Sequence, residues 1–177
     1  MINKDGSGLQ EIYQTLNGNY ITEIDWNNDG TKIALKTNNT IGYGVDIFTI
    51  DMSGNTVDTI LTGVLGAAGG INFSVDNQLL LYTHDVSGFE SSDYRQLNNH
   101  IFTFNLQTSE VIDLSDQKPP GTNDLDPRFS PNEAEIIFVN TSNDGISQKD
   151  IVKLEINAGA ANNRTILFQE ATMPDWE

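Results

Sequence analysis

Three stretches of this chain share one plan: WNNDGTKIALKT from Trp26, FSVDNQLLLYTH from Phe73 and FSPNEAEIIFVN from Phe129. Each opens on an aromatic, passes through a four-residue polar linker and reaches a short apolar run at the same distance. The runs are Ile33-Ala34-Leu35, Leu80-Leu81-Tyr82 and Ile136-Ile137-Phe138, and Trp176 in PDWE marks a fourth start. Successive aromatics lie 47, 56 and 47 residues apart. A repeat of this length constrains the fold strongly, because each copy must form the same small unit and bury itself against its neighbours.

The second half of the unit repeats as well, in DIFTIDMSGNTVDTIL from Asp46, HIFTFNLQTSEVIDL from His100 and DIVKLEINAGAANNRTILF from Asp150. β-Branched and aromatic residues alternate with a period of two, and Ser-Gly-Asn, Gln-Thr-Ser-Glu and Asn-Ala-Gly punctuate them as hairpin turns. Each unit therefore reads as four short antiparallel strands, with little helix anywhere. So small a sheet cannot cover both of its faces alone, and stacking the units around an axis closes the core and hides the edges. The fold class expected is all-β, a partial β-propeller of four-stranded blades, favoured over a two-sheet sandwich by the short strands and the period. One domain spans 1–177, with blades at about 20–62, 69–115 and 124–169.

Incomplete blades are expected at both ends. INKDGSGLQEIYQ aligns with IDMSGNTVDTIL, which places a blade remnant at 1–15, and residues 173–177 begin another blade. Closed propellers have at least about four blades. Three explanations stand: a piece of a longer protein, a ring completed by two chains, or an open stack with end caps. Unpaired edges at either end invite a partner chain or self-association.

Nine Lys and Arg against twenty-five Asp and Glu give a formal charge of −16. Such a surface repels nucleic-acid phosphates and anionic headgroups, so no nucleic acid partner is expected. No apolar run approaches the roughly 20 residues that span a bilayer, so no membrane insertion is expected either. Absence of cysteine excludes disulfides, thiolate catalysis and cysteine-ligated zinc. MINKDGSGLQ lacks the basic-then-apolar order of a signal peptide, so a targeting segment of an exported protein would lie outside this chain.

WNNDGTKIAL and FSPNEAEIIFV resemble the aromatic-Ser-Pro-Asp-Gly signature of the WD40-like (PD40) repeats of the TolB β-propeller family. DIFTIDMSG and INKDGSG resemble that family's third strand, DIVKLEINAG less closely. FSVDNQLLLYTH departs from the pattern, with Val75 in place of Pro and Asn77 in place of Gly. The resemblance covers nearly the whole chain. It implies a non-catalytic scaffold that binds proteins or peptides, in a periplasmic or extracellular setting, and a longer parent with more blades. Similar blades occur in prolyl-oligopeptidase-type peptidases, so an accessory propeller of a peptidase- or glycan-active enzyme is the alternative, its catalytic domain lying beyond this chain.

Candidate site residues are few. Asp25 and Asp175 directly precede their aromatics, and Asp126 stands three positions before Phe129. First strands line a propeller's channel, so these three carboxylates could form an acidic rim. Asp124 and Asp126 could also contribute oxygens to a hard cation, which needs several converging at ~2.3–2.6 Å. DWNNDG imitates the opening of a calcium loop, but Lys36 stands where the bidentate Glu is required and Ile33 is apolar, so the stretch is a turn. His84 and His100, with Asp85 and Glu90 nearby, are the residues a metal-assisted hydrolase would draw on; alternatively His100 simply starts a third strand, as Asp46 and Asp150 do. The metal content is left unknown. No nucleophile elbow or phosphate loop is present, so no catalytic residue and no cofactor is assigned. The insertion DVSGFESSDYRQLNN offers Phe89, Tyr94 and Arg95 as binding residues, since aromatics and Arg on a loop over a rigid frame often anchor interfaces. Asn140-Thr141-Ser142 fits a glycosylation acceptor, as do two other triplets in this Asn-rich chain.

Overall fold

A computed structural model describes residues 1–16, 18–39, 44–87, 97–144, 148–157 and 160–176. They form three four-stranded antiparallel sheets, and no described residue is helical. The first sheet orders β1 (Tyr20–Trp26), β2 (Lys32–Asn38), β3 (Val45–Asp51) and β4 (Thr56–Val64). The second orders β5 (Ala68–Phe73), β6 (Leu79–Asp85), β7 (Asn99–Asn105) and β8 (Val111–Asp113). The third orders β9 (Thr122–Phe129), β10 (Glu135–Ser142), β11 (Lys149–Asn157) and β12 (Ala160–Phe168). All pairing is between consecutive strands, so each repeat is a self-contained meander.

The first hairpin of each unit explains the sequence signature. Asn27, Ser74 and Ser130 follow the aromatics and close the same turn, their N–H groups donating to Lys32 O, Leu79 O and Glu135 O. Their side-chain oxygens accept from the returning backbone: Asn27 Oδ1 from Lys32 N at 2.8 Å, Ser74 Oγ from Leu79 N at 2.8 Å, and Ser130 Oγ from Glu135 N at 3.1 Å. The fifth position is left-handed throughout, at φ +71° in Gly30, +62° in Asn77 and +58° in Glu133. Asn tolerates that region and Glu is strained in it. Both side chains reach the preceding turn: Asn77 Oδ1 accepts from Asn28 N at 2.8 Å, and Glu133 Oε1 from Asp76 N at 2.6 Å. The departures from Gly thus tie each blade's turn to the one before.

Alternating apolar residues pack the sheets face to face. Ala34, Val45 and Ile47 of the first sheet meet Ile71, Leu80, Tyr82 and Phe104 of the second. Leu81 and Ile101 on the second sheet's other face, with Leu114, meet Phe129, Ile136, Phe138 and Val152 of the third. These two layers are what hold the stack together, since apolar burial is the dominant favourable term.

The terminal segments lie against the outer sheets. Residues 1–19 contain no described strand, yet their turn repeats the β3–β4 hairpin: Asn3 N to Ser7 O and Gly6 N to Asn3 O match Asp51 N to Asn55 O and Gly54 N to Asp51 O. Ile12 and Tyr13 then pack on Ile33, Leu35, Phe48 and Ile50 of the first sheet, with the Tyr13 and Phe48 rings 5.5 Å apart. At the other end, Ala171 N donates to Lys149 O on β11 and Trp176 Nε1 to Arg128 O on β9, so the tail crosses the third sheet.

Candidate functional site

Inner strands β1, β5 and β9 each carry one surplus residue. The register slips between Ile21 and Glu23, between Gly69 and Asn72, and opposite the Ile137–Val139 step. Such bulges bend a strand and re-aim its side chains. Gly70 and Asp126 occupy equivalent places three residues before their aromatics, both left-handed, at φ +61° and +51°. A Cβ on Gly70 would lie 2.7 Å from Pro127 Cδ and 3.5 Å from Asp126 Cα, so the second and third blades approach this closely only over glycine.

Hydrogen bonds cross between blades along this line. Glu23 accepts from Gly70 N at 3.1 Å and from Ile71 N at 2.9 Å. Asp25 Oδ2 accepts from Phe73 N at 2.7 Å, and Asn72 Oδ1 repeats the contact one blade on, accepting from Phe129 N at 3.0 Å. Burial raises the Asp25 carboxyl above its ordinary value, against the lowering effect of the Phe73 amide. A carboxyl raised in the folded state holds its proton longer there than in the unfolded chain. Its contribution to stability therefore falls as pH rises from about the unfolded value of 3.8 through the higher folded one. Asp25→Asn keeps an oxygen for Phe73 N, as Asn72 does for Phe129 N. Urea unfolding is expected to find this variant gaining on the native chain between pH 3 and pH 7, whereas equal loss at both would contradict the assignment.

A pocket of about 200 Å³ opens where the three inner strands meet. Glu23 and Lys36 come from the first blade, Gly69, Thr83 and Asn99 from the second, and Asp126 from the third. Asn99 is 1% exposed, and its Oδ1 has no hydrogen-bond partner among the described residues. Asp126 is exposed at the pocket's edge. A second hollow, of about 280 Å³, lies between Tyr13 and Leu16 of the N-terminal segment and Asp46, Phe48, Thr59 and Leu61 of the first sheet.

The other sequence candidates are dispersed. Asp175 is exposed in the C-terminal tail. Phe89, Tyr94, Arg95 and Glu90 lie outside the described residues. Asp124 is fully buried and engaged by Arg164, by Ser115 Oγ at 2.7 Å and by Asn140 Nδ2 at 2.8 Å, which leaves it no free oxygen to offer a cation. Asn140 spends its amide there and is itself buried, so it is closed as a glycosylation acceptor. The DWNNDG stretch is the β1–β2 turn, where Asp29 accepts from Thr31 N and Thr31 Oγ1. Asp85 is buried and accepts from Ser87 N and Asn98 N, closing the base of the long loop. His84 and His100 are direct cross-strand partners, and burial lowers the His84 pKa. Among the described residues, no three His, Asp or Glu side chains gather around a common metal position. From the sequence Glu23 reads, with Asp126, only as a carboxylate lining the channel; the amides it holds on the next blade, and Asn99 altogether, were missed. The only signal was the Gly69-Gly70 pair ahead of Phe73, which reads equally as a turn.

The fold is that of consecutive propeller blades. Solved structures superpose on it as such, including TolB from Acinetobacter baumannii, with a TM-score of 0.61, 22% identity, and coverage of 91% of this chain and 35% of that one. An oligogalacturonate lyase from Vibrio parahaemolyticus matches with a TM-score of 0.60 at 14% identity, covering 89% and 41%. A prolyl endopeptidase matches with a TM-score of 0.65 at 17% identity, covering 87% and 22%. The chain thus spans less than half the length of each of these proteins, and at such identities the likeness establishes architecture alone. No family model matches the sequence, and no curated protein matches it. Non-catalytic and catalytic propeller proteins both share the architecture, so the fold does not choose between them. Among the described residues no helix is long and apolar enough to cross a membrane.

Proposed function

We propose that this chain is a non-catalytic propeller scaffold that binds a protein or peptide, in a bacterial envelope or exported protein. The observation that supports this reading is the three-blade pocket, with an Asn99 oxygen that has no partner among the described residues. A buried acceptor without a donor is costly, on the order of 1–3 kcal/mol, and a bound group with an N–H or O–H relieves it. Glu23, Asp126 and Lys36 give the same pocket two carboxylates and one ammonium, which suits a polar peptide segment. Asp126 and Asp175, the exposed members of the expected acidic rim, and the loop bearing Phe89, Tyr94 and Arg95 are the further surfaces assigned to the partner. The location follows the TolB resemblance.

Peptide panels screened by NMR on the labelled chain test this reading. A binding peptide is expected to shift the amides of Gly69, Gly70, Asn99 and Leu125, and to bind more weakly to Asp126→Asn. Shifts confined to other surfaces, or binding unchanged in Asp126→Asn and in a chain lacking 88–96, would discard these sites. The accessory-propeller reading is favoured by the prolyl endopeptidase match, in which the superposed part is 22% of that chain. A catalytic domain encoded in the same open reading frame would decide for it.

A further inference from the structure

The chain has two histidines, no cysteine, and a fold that sets the two histidines opposite each other on adjacent strands. His84 on β6 pairs directly with His100 on β7, so both side chains leave the second blade on one face. Cβ atoms of residues so opposed are about 4.5–5.5 Å apart. A single cation holds each imidazole nitrogen at about 2.0–2.1 Å, which this spacing accommodates. His100 Nδ1 lies 2.7 Å from Asp113 Oδ2, and a carboxylate only accepts, so Nδ1 carries a proton and, in the neutral ring, Nε2 keeps its lone pair.

Neighbouring rings pack against the His100 imidazole. His100 stacks on Phe102, two residues along β7, with the ring centres 6.2 Å apart and the planes 21° apart. Phe102 stacks in turn on its cross-strand partner Tyr82 at 5.3 Å. Asp113 on β8 holds Nδ1, and Nε2 has no hydrogen-bond partner among the described residues. No described residue hydrogen-bonds the His84 ring. A carboxylate on the far nitrogen of a metal-binding imidazole is the usual orienting arrangement, and it raises the basicity of the ligand.

We infer that His84 and His100 form a two-imidazole site for a divalent transition-metal ion, with water completing the coordination. Two nitrogen ligands favour copper(II) most, then nickel(II) and zinc(II), and disfavour magnesium or calcium, which take oxygens. The site is separate from the three-blade pocket and uses none of its residues. Asp85, adjacent in sequence, does not join it, being committed to the backbone at the loop's base.

Copper(II) titrated into the ¹⁵N-labelled chain, in a buffer that does not chelate, tests the inference. One equivalent is expected to bind, to broaden both imidazole resonances together and to give an electron-paramagnetic spectrum with nitrogen hyperfine structure from two imidazoles. Magnesium is expected to leave both resonances unchanged. His84→Ala and His100→Ala are each expected to abolish that signature, while Asp113→Asn, acting as a positioning change, weakens binding by about tenfold to a hundredfold. Absence of the two-imidazole signal in the native chain, broadening of one ring alone, or undiminished copper affinity in either histidine variant would overturn it. The native-chain spectra stand even where a variant fails to fold.

Discussion

Arg164→Met is expected to destabilise the fold by about 3–5 kcal/mol, the cost typical of removing one partner from a buried ion pair. Arg164 extends from β12 across the third blade, passing 4.8 Å over the Phe138 ring, to meet the fully buried Asp124 on β9. Arg164 Nη1 donates to Asp124 Oδ2 at 3.0 Å, and Nη2 donates to Oδ1. The same carboxylate accepts from Ser115 Oγ, just beyond β8, so the pair also binds the second blade to the third. Removing the guanidinium leaves a charge in the apolar layer with only two neutral donors. Adding Asp124→Asn removes that stranded charge, so the double variant is expected to recover most of the loss. Urea denaturation of the four proteins reads both effects as a thermodynamic cycle. Additive losses would mean that the pair is not the source of the stability.

Phe138→Ala is expected to cost a similar amount, about 3–5 kcal/mol, by opening a cavity in a layer that collapses poorly. Phe138 is 0% exposed at the centre of the contact between the second and third blades, with Leu81, Ile101 and Leu114 around it. Two consequences separate this from a local defect. Ring removal also takes away the surface on which Arg164 lies, so losses from Phe138→Ala and Arg164→Met should be less than additive. Stacked repeats are stabilised by nearest-neighbour interfaces, so weakening one interface should let the third blade exchange its amides before the first two. Hydrogen exchange resolved by residue measures this directly, and uniform loss of protection over all three blades would contradict it.

The blade plan was legible because turn chemistry is local. An aromatic, a capping Asn or Ser and a left-handed fifth position are set by hydrogen bonds within about six residues, so they survive in the sequence as a signature. Even the departures carried meaning, since Asn77 and Glu133 replace glycine where the side chain reaches the previous turn. What lay hidden depends on how one blade sits on the next. Glu23 bonds amides 47 and 48 residues away, and Arg164 meets a carboxylate 40 residues away. The 47-residue separation of Glu23 and Gly70 is the repeat interval itself, but no like side chain stands at the equivalent positions, where Gly70 and Asp126 lie, to mark the contact as a pattern. Asp124 looked like a cation ligand for the same reason: its partner enters from the opposite edge of the sheet. The surplus residue in each inner strand was masked by the variety of Glu23, Gly70 and Asp126 at one position. Three unlike side chains there give no pattern to read.

The histidines illustrate the intermediate case. Their positions at the base of the same long loop were readable, but their direct opposition depends on the β6–β7 register, which pairs Leu79 with Asn105 and Asp85 with Asn99 without a slip. One residue of shift would send the two rings to opposite faces.

The central claim is that strand pairing stays inside each repeat while side chains pack between repeats. Nuclear Overhauser contacts in the labelled chain test it most directly. Backbone contacts across antiparallel pairs should fall only within 20–64, 68–113 and 122–168, with methyl and ring contacts linking Val45 to Tyr82 and Leu81 to Phe138. A ladder that pairs a strand of one unit with a strand of another would contradict the account.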